Sequence, residues 1–124
     1  MINIKKLSVV IPAYNEGNTI HLILDKVASV RLIHQIEKEV IIVNDCSTDH
    51  TEESILSYIE KSDLDIQYFK HKINQGKGAA LHTGINKATG EYLVIQDADL
   101  EYDPEEYNDL LTPVIQGHAD VVYG

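Results

Sequence analysis

The feature that most constrains this chain is Val40-Ile41-Ile42-Val43, an unbroken β-branched run between charged and polar neighbours. A strand with one wet face alternates apolar and polar side chains. A strand without alternation must bury both faces, which parallel sheets achieve by carrying helices on each side. Leu7-Ser8-Val9-Val10-Ile11, ended by Pro12, and Tyr92-Leu93-Val94-Ile95 are runs of the same kind. Ile66, Tyr68 and Phe69 mark a weaker, more polar strand suited to a sheet edge, and Val121-Val122-Tyr123 opens a fifth.

Helical patterns lie between these runs. Ile20, Ile23, Leu24 and Val27 fall at i, i+3, i+4 and i+7 after the capping residues Gly17-Asn18-Thr19. Asp49 and Glu52 are spaced as an N-cap and N3 pair for a helix that buries Ile55, Leu56 and Ile59. Asn74-Gln75-Gly76-Lys77-Gly78 leads into a small-residue helix, Ala79 to Ala88, with Leu81 and Ile85 on its apolar face and Gly90 at its C-terminus. Asp103-Pro104-Glu105-Glu106 opens a last helix that buries Tyr107, Leu110, Leu111 and Val114, with Pro113 shortening it and Gly117 ending it. Strand and helix alternate without repeat or linker, so the expected fold is α/β with a doubly wound, mostly parallel sheet.

Charge narrows the function. Ten Lys/Arg against twenty Asp/Glu give a net charge of −10 over 124 residues. That balance leaves no basic footprint for nucleic acid, and the length admits one domain. A phosphate-bearing ligand would need a metal ion, helix N-termini or locally placed Lys/Arg to offset the repulsion. The single cysteine, Cys46, closes no intrachain disulfide and suits a reducing cytoplasm. No apolar run approaches the roughly 20 residues that span a bilayer. The six histidines show no ligand spacing; most are expected at the surface, and none is assigned a role.

Ligands of such sheets bind at the carboxyl ends of the strands, and polar clusters stand there: Pro12 to Glu16, Asn44 to Asp49 and Gln96 to Glu101. Asp97-Ala98-Asp99, directly after a buried strand, can direct two carboxylates toward one hard divalent cation, Mg²⁺ or Mn²⁺. A lone Asp-x-Asp is also the ordinary solvated loop that caps a following helix. Asp45 can accept hydrogen bonds from a base or ribose, or equally serve an Asx turn. Tyr14 can stack on a base and Glu16 bond to base or ribose; the alternative is a helix-entry loop with one exposed aromatic. Gly76-Lys77-Gly78 lacks the full Walker spacing, and Lys77 either offsets anionic charge or is simply solvated.

Taken together, L-S-V-V-I-P-A-Y-N-E from Leu7, V-N-D-C-S-T-D-H-T from Val43, N-Q-G-K-G-A-A-L from Asn74 and Q-D-A-D-L-E-Y-D-P from Gln96 resemble family-2 glycosyltransferases of the GT-A fold, over the whole chain and in order. Among these, the chain is most similar to polyprenyl- or dolichyl-phosphate mannose and glucose synthases. The resemblance implies an inverting transfer of a hexose from GDP-mannose or UDP-glucose to a lipid-phosphate or glycan acceptor. It implies a nucleotide-sugar site of Pro12, Tyr14, Glu16, Val43, Asp45, Asp97 and Ala98, with Lys77 beside it. Asp97 and Asp99 would be the catalytic pair holding metal and diphosphate, and Glu101 stands where Gln is a frequent further metal contact. The second-strand motif often reads Asp-Asp-Gly-Ser, where this chain has Asn44-Asp45-Cys46-Ser47; Asp45 carries over and Asn44 does not. His50 occupies a commonly glycine position.

Complete domains of this family have roughly twice this length, still the size of one domain. Residues 1–124 are therefore expected to be the nucleotide-sugar-binding half, truncated, with the catalytic base beyond residue 124, cytoplasmic or peripheral at the inner face of a membrane. The unfinished sheet would offer an edge for self-association. The competing readings are a nucleotide-binding module without transferase activity and a response-regulator-like domain. The latter needs an acidic pair after the first strand and a phosphoacceptor Asp after the third, where this chain has Pro12-Ala13-Tyr14 and Lys70-His71-Lys72.

Overall fold

The computed structural model describes residues 5–97 together with Tyr107 and Asn108. Four strands, β1 (Lys6–Ala13), β2 (Glu37–Asn44), β3 (Ile66–Lys70) and β4 (Tyr92–Ile95), alternate with helices α1 (Ile20–Ser29), α2 (Thr51–Lys61) and α3 (Lys77–Lys87). The strands form one parallel sheet in the order β3-β2-β1-β4. Successive strands run outward from β1 to β3 and the chain then crosses back to β4. The β1/β4 boundary is therefore the switch point of a doubly wound sheet, where a crevice opens at the carboxyl ends.

The β2 run meets the demand its composition makes. Val40 and Ile42 join the α1-side core, with Ile20, Ile23, Leu24, Val27 of α1 and Ile55 of α2. Ile41 and Val43 pack with Ala80 of α3 on the opposite face. Alternate residues thus feed two cores, and both faces are covered.

The structure corrects several local expectations. β1 does not stop at Pro12. Val10 O accepts from Gln96 N and Ala13 O from Asp45 N, so Pro12, two residues on from Val10, turns its main chain toward β4. It lies beyond the last β1–β4 pair, Val10↔Ile95, where no ladder donor is needed. The helix before β4 buries Ala80 and Gly84, while Ile85 is 40% exposed. It begins at Lys77 and ends at Lys87, with Ala88 as its C-cap; Gly90 is no cap but presses on β1, where a Cβ would lie 2.7 Å from Lys6 O. Leu56 is 48% exposed, because the inward stripe of α2 runs through Thr51, Ile55 and Ile59, and Leu56 is turned about 100° from Ile55. The N-cap of α2 is His50, not Asp49; Asp49, one residue earlier, accepts from Thr51 N at 2.9 Å, and Glu52 turns to Tyr68 and Lys70 instead of reaching back.

Tyr107 and Asn108 are helical. The Tyr107 hydroxyl donates to Gln96 Oε1 at 2.8 Å, and Asn108 Oδ1 accepts from Ile33 N at 2.8 Å. Leu110, Leu111, Pro113, Val114, Gly117 and the expected strand at Val121–Tyr123 lie outside the described residues. No helix among the described residues is long and apolar enough to cross a membrane.

At the amino ends of the strands, Glu39 is 1% exposed. Its carboxylate accepts from Ser8 Oγ (2.7 Å), Thr89 N (3.0 Å), Thr89 Oγ1 (2.7 Å) and Gln67 Nε2 (3.0 Å). Burial raises its pKa, but those bonds from Thr89 and Ser8, with Lys6 nearby, outweigh burial and hold the carboxyl below 4.5. A depressed folded pKa contributes stability that is present above pH 4.5 and is lost as pH falls through the folded value. Glu39→Ala leaves several buried donors unpaired and should cost about 3 kcal/mol at pH 7. Urea midpoints measured against pH should fall below pH 4.5 in the parent and lose part of that dependence in the variant.

Candidate functional site

Three loops meet at the carboxyl ends of the strands, and local chemistry fixes each. Asn15, with φ of 54°, ties the loop after β1 to the loop after β2: its Oδ1 accepts from Thr48 N (2.8 Å) and its N–H donates to Ser47 Oγ (2.9 Å). Glu16 N donates to Thr51 Oγ1 at 2.9 Å, and the Glu16 carboxylate accepts from Thr19 Oγ1 at 2.8 Å. Asn44 is a structural residue: its Oδ1 accepts from Ser47 N and Oγ, and its Nδ2 donates to the Tyr68 hydroxyl. The Cys46 thiol donates to Lys72 O at 3.4 Å.

Asp45 organises the third loop. It is 3% exposed. Its Oδ1 meets His71 Nδ1 (2.8 Å) and Gln75 N (2.9 Å), and its Oδ2 accepts from Gly76 N (2.8 Å). Gly76 holds φ of 96°, which glycine adopts at little cost, and it opens α3. Asp45 thereby places a negative charge at the start of that helix, where the dipole favours it. Burial raises the pKa of Asp45, but the Gln75 N–H, the His71 ring and the Gly76 N–H together bring it below 3.8. The group is an anionic acceptor at neutral pH.

A cavity of about 360 Å³ opens at the switch point, lined by Pro12, Tyr14, Glu16, Asp45, Lys77 and Asp97 among others. Residues far apart in the chain thus share one rim. Tyr14 is 45% exposed there, and Lys77 Nζ lies 2.5 Å from Asp97 Oδ1. Val43 sits beneath the rim, fully buried against Ala80. Ala98, Asp99 and Glu101 lie outside the described residues, and among those described no group of three His, Cys, Asp or Glu side chains gathers as a metal cluster. A second cavity, of about 600 Å³, lies away from the rim between α1 and α2, beside His21, Asp25 and Tyr58.

His71 departs from the expectation of a surface residue. It is buried, with Nδ1 on Asp45 and Nε2 2.9 Å from Thr83 Oγ1 of α3. The signal lies in register: Asn44 pairs with Lys70, so the next residues, Asp45 and His71, leave neighbouring strands side by side. Ligand spacing along one segment cannot reveal a partner held by strand pairing.

Residues 8–124 match the Glycosyl transferase family 2 model. The chain is 37% identical over 120 residues to an undecaprenyl-phosphate 4-deoxy-4-formamido-L-arabinose transferase of Photorhabdus laumondii, covering 96% of this chain and 36% of the relative. It therefore spans about a third of that relative's length. Among solved structures it resembles S. aureus TarS residues 1–349 in complex with UDP-GlcNAc (29% identity, TM-score 0.78, 93% of this chain and 32% of that one). It also resembles the mannosyltransferase PcManGT of Pyrobaculum calidifontis in complex with GDP-Man and Mn²⁺ (30% identity, TM-score 0.74, 85% and 30%). These structural neighbours are GT-A glycosyltransferases, and the four-stranded parallel sheet with its helices is part of that fold.

Proposed function

Because the chain belongs to glycosyl transferase family 2, we propose that the cavity at the β1/β4 switch point holds the donor, a nucleotide sugar such as GDP-mannose or UDP-glucose. Residues 1–124 then form the donor-binding part of a GT-A domain. The observation that carries this reading is the convergence of Pro12, Tyr14, Glu16, Asp45, Lys77 and Asp97 on one cavity. Tyr14 offers an exposed ring for a base to stack on. Asp45, held ionised, accepts from a base or ribose donor and Glu16 adds a second carboxylate, while Val43, fully buried against Ala80, supports the cavity without lining it. Lys77 brings positive charge to Asp97, where a diphosphate would otherwise be repelled by a chain of net charge −10.

A divalent cation, Mg²⁺ or Mn²⁺, suits the same point. Asp97 supplies hard carboxylate oxygens and already faces a cation, the Lys77 ammonium. Asp97, Asp99 and Glu101 would hold the ion and Ala98 would line the sugar-phosphate site; when bound, the ion neutralises charge on the departing nucleoside diphosphate. The reaction proposed is inverting: an acceptor oxygen attacks the anomeric carbon in line as the bond to the diphosphate breaks. A polyprenyl phosphate is the acceptor favoured by the similarity to the undecaprenyl-phosphate transferase. Acceptors of that kind lie in a membrane, so the protein would work from the cytoplasm at its inner face.

A thermal-shift panel of UDP and GDP with and without Mn²⁺ tests the reading. At about 100-fold above Kd, one of them should raise the melting temperature by about 5–10 °C. Asp97→Ala should remove the Mn²⁺-dependent part of the rise. Absence of any shift with every nucleoside diphosphate, in the parent protein, sinks the assignment. Binding without sugar transfer to polyprenyl phosphate would favour a nucleotide-binding module over a transferase.

A further inference from the structure

We infer that His71 is a positioning residue of the donor site, holding the Asp45 carboxylate in the orientation that receives the nucleoside; the inference rests on the donor-site reading above. Asp45 Oδ1 is committed to two protein donors, the His71 ring and Gln75 N, while Oδ2 has one, Gly76 N. A carboxylate oxygen accepts about two hydrogen bonds. The remaining acceptor capacity therefore belongs to Oδ2, in a residue that lines the cavity.

The His71 ring is itself fixed at both nitrogens. An ionised carboxylate only accepts, so Nδ1 carries the proton and donates to Asp45. Nε2 meets the Thr83 hydroxyl, which belongs to α3. The main chain of His71 is anchored too, since its N–H donates to Asn44 O at 2.9 Å. The chain of contacts Thr83–His71–Asp45 spans α3, the end of β3 and the end of β2, so it locks the two loops that bear Asp45 and Gly76 to one helix. Without the ring, two backbone donors hold a carboxylate that can swing about its Cβ–Cγ bond. Orientation within a fraction of an ångström is what such supporting groups provide.

Amide replacements separate this role from a merely structural one. In His71→Asn the amide nitrogen occupies the place of Nδ1 and can still donate to Asp45. In His71→Gln it occupies the place of Nε2 and reaches toward Thr83 instead. Binding of UDP or GDP, whichever the parent binds, is measured by titration calorimetry with Mn²⁺ on the intact protein, beside binding of Mn²⁺-pyrophosphate alone. His71→Gln and His71→Leu should raise the nucleotide Kd by about 10- to 100-fold, the loss of one hydrogen bond to a charged group. His71→Asn should stay within about threefold of the parent, and pyrophosphate binding should change little in all three. The inference is overturned if His71→Asn is as weak as His71→Gln, if His71→Leu binds nucleotide like the parent, or if pyrophosphate binding falls in parallel. A parent protein that binds neither UDP nor GDP overturns the donor-site reading itself, a failure distinguishable from that of His71 alone.

Discussion

Gly84→Val should destabilise the protein by about 3 kcal/mol or more, lowering the urea midpoint at an unchanged m-value. A Cβ built on Gly84 lies 2.4 Å from Val10 Cγ1 and 3.4 Å from Val43 Cγ2. Both valines are fully buried and stiff at χ1, so α3 would have to lift from the sheet. Replacing glycine inside a helix ordinarily gains up to about 1 kcal/mol of propensity, whereas overpacking costs about 1–3 kcal/mol, and β-branching adds a second methyl to the clash. Packing wins. Gly78 supplies the control: nothing lies within 4 Å of its Cβ position, so Gly78→Ala should be neutral or stabilising by about 0.5–1 kcal/mol. Combining Gly84→Ala with Val10→Ala should restore part of the stability lost in each, a coupling readable in a double-mutant cycle. Additivity of the two would mean that the close approach of α3 to β1 is wrong. The consequence reaches function, since Gly76 and Lys77 ride on the same helix and Ala80 lines the cavity.

Asp45→Ala should cost about 3–4 kcal/mol and abolish nucleoside diphosphate binding. The substitution removes the acceptor for the Gln75 and Gly76 amides and for His71 in a largely dry setting, and each unpaired buried donor costs about 1–3 kcal/mol. Asp45→Asn separates charge from shape. It keeps one oxygen but presents an NH₂ group to donors, so it should recover little. Because the folded pKa of Asp45 lies below 3.8, its contribution is present above that pH and lost as pH falls through the folded value. The acid limb of the parent's stability profile should therefore be shallower in Asp45→Ala. Chemical denaturation from pH 3 to pH 7 would read both effects, and an Asp45→Ala protein as stable as its parent would contradict the loop-organising role.

Much of this was legible from local pattern. The unbroken run at Val40–Val43 demands cover on both faces, and both faces have it. The 3.6-residue spacing in Ile20 to Val27 picks out the residues of α1 that are buried. Pro12, Tyr14, Glu16, Asp45, Lys77 and Asp97, named from polar clusters at strand ends and from the family resemblance, share one cavity. Such features are readable because burial periodicity and strand-end chemistry belong to short segments.

Elsewhere, large apolar residues misled. Leu81 and Ile85 suggested the inner face of α3, yet Ala80 and Gly84 face the sheet because only small side chains fit a helix so close to Val10. Nothing in the local sequence marks His71 or Glu39 as buried, yet both are, because groups distant in sequence satisfy them: Asp45 and Thr83 in one case, Ser8, Gln67 and Thr89 in the other. The sequence by itself determined the alternation of elements, the two-sided burial of the sheet and the residue types gathered at its carboxyl rim. The tertiary structure alone decided strand order and register, the face α3 presents, and the His71–Asp45 pairing that shapes the candidate donor site. Those depend on contacts between segments tens of residues apart, whose free energy is absent from any local window and is realised only when parallel strands are brought side by side.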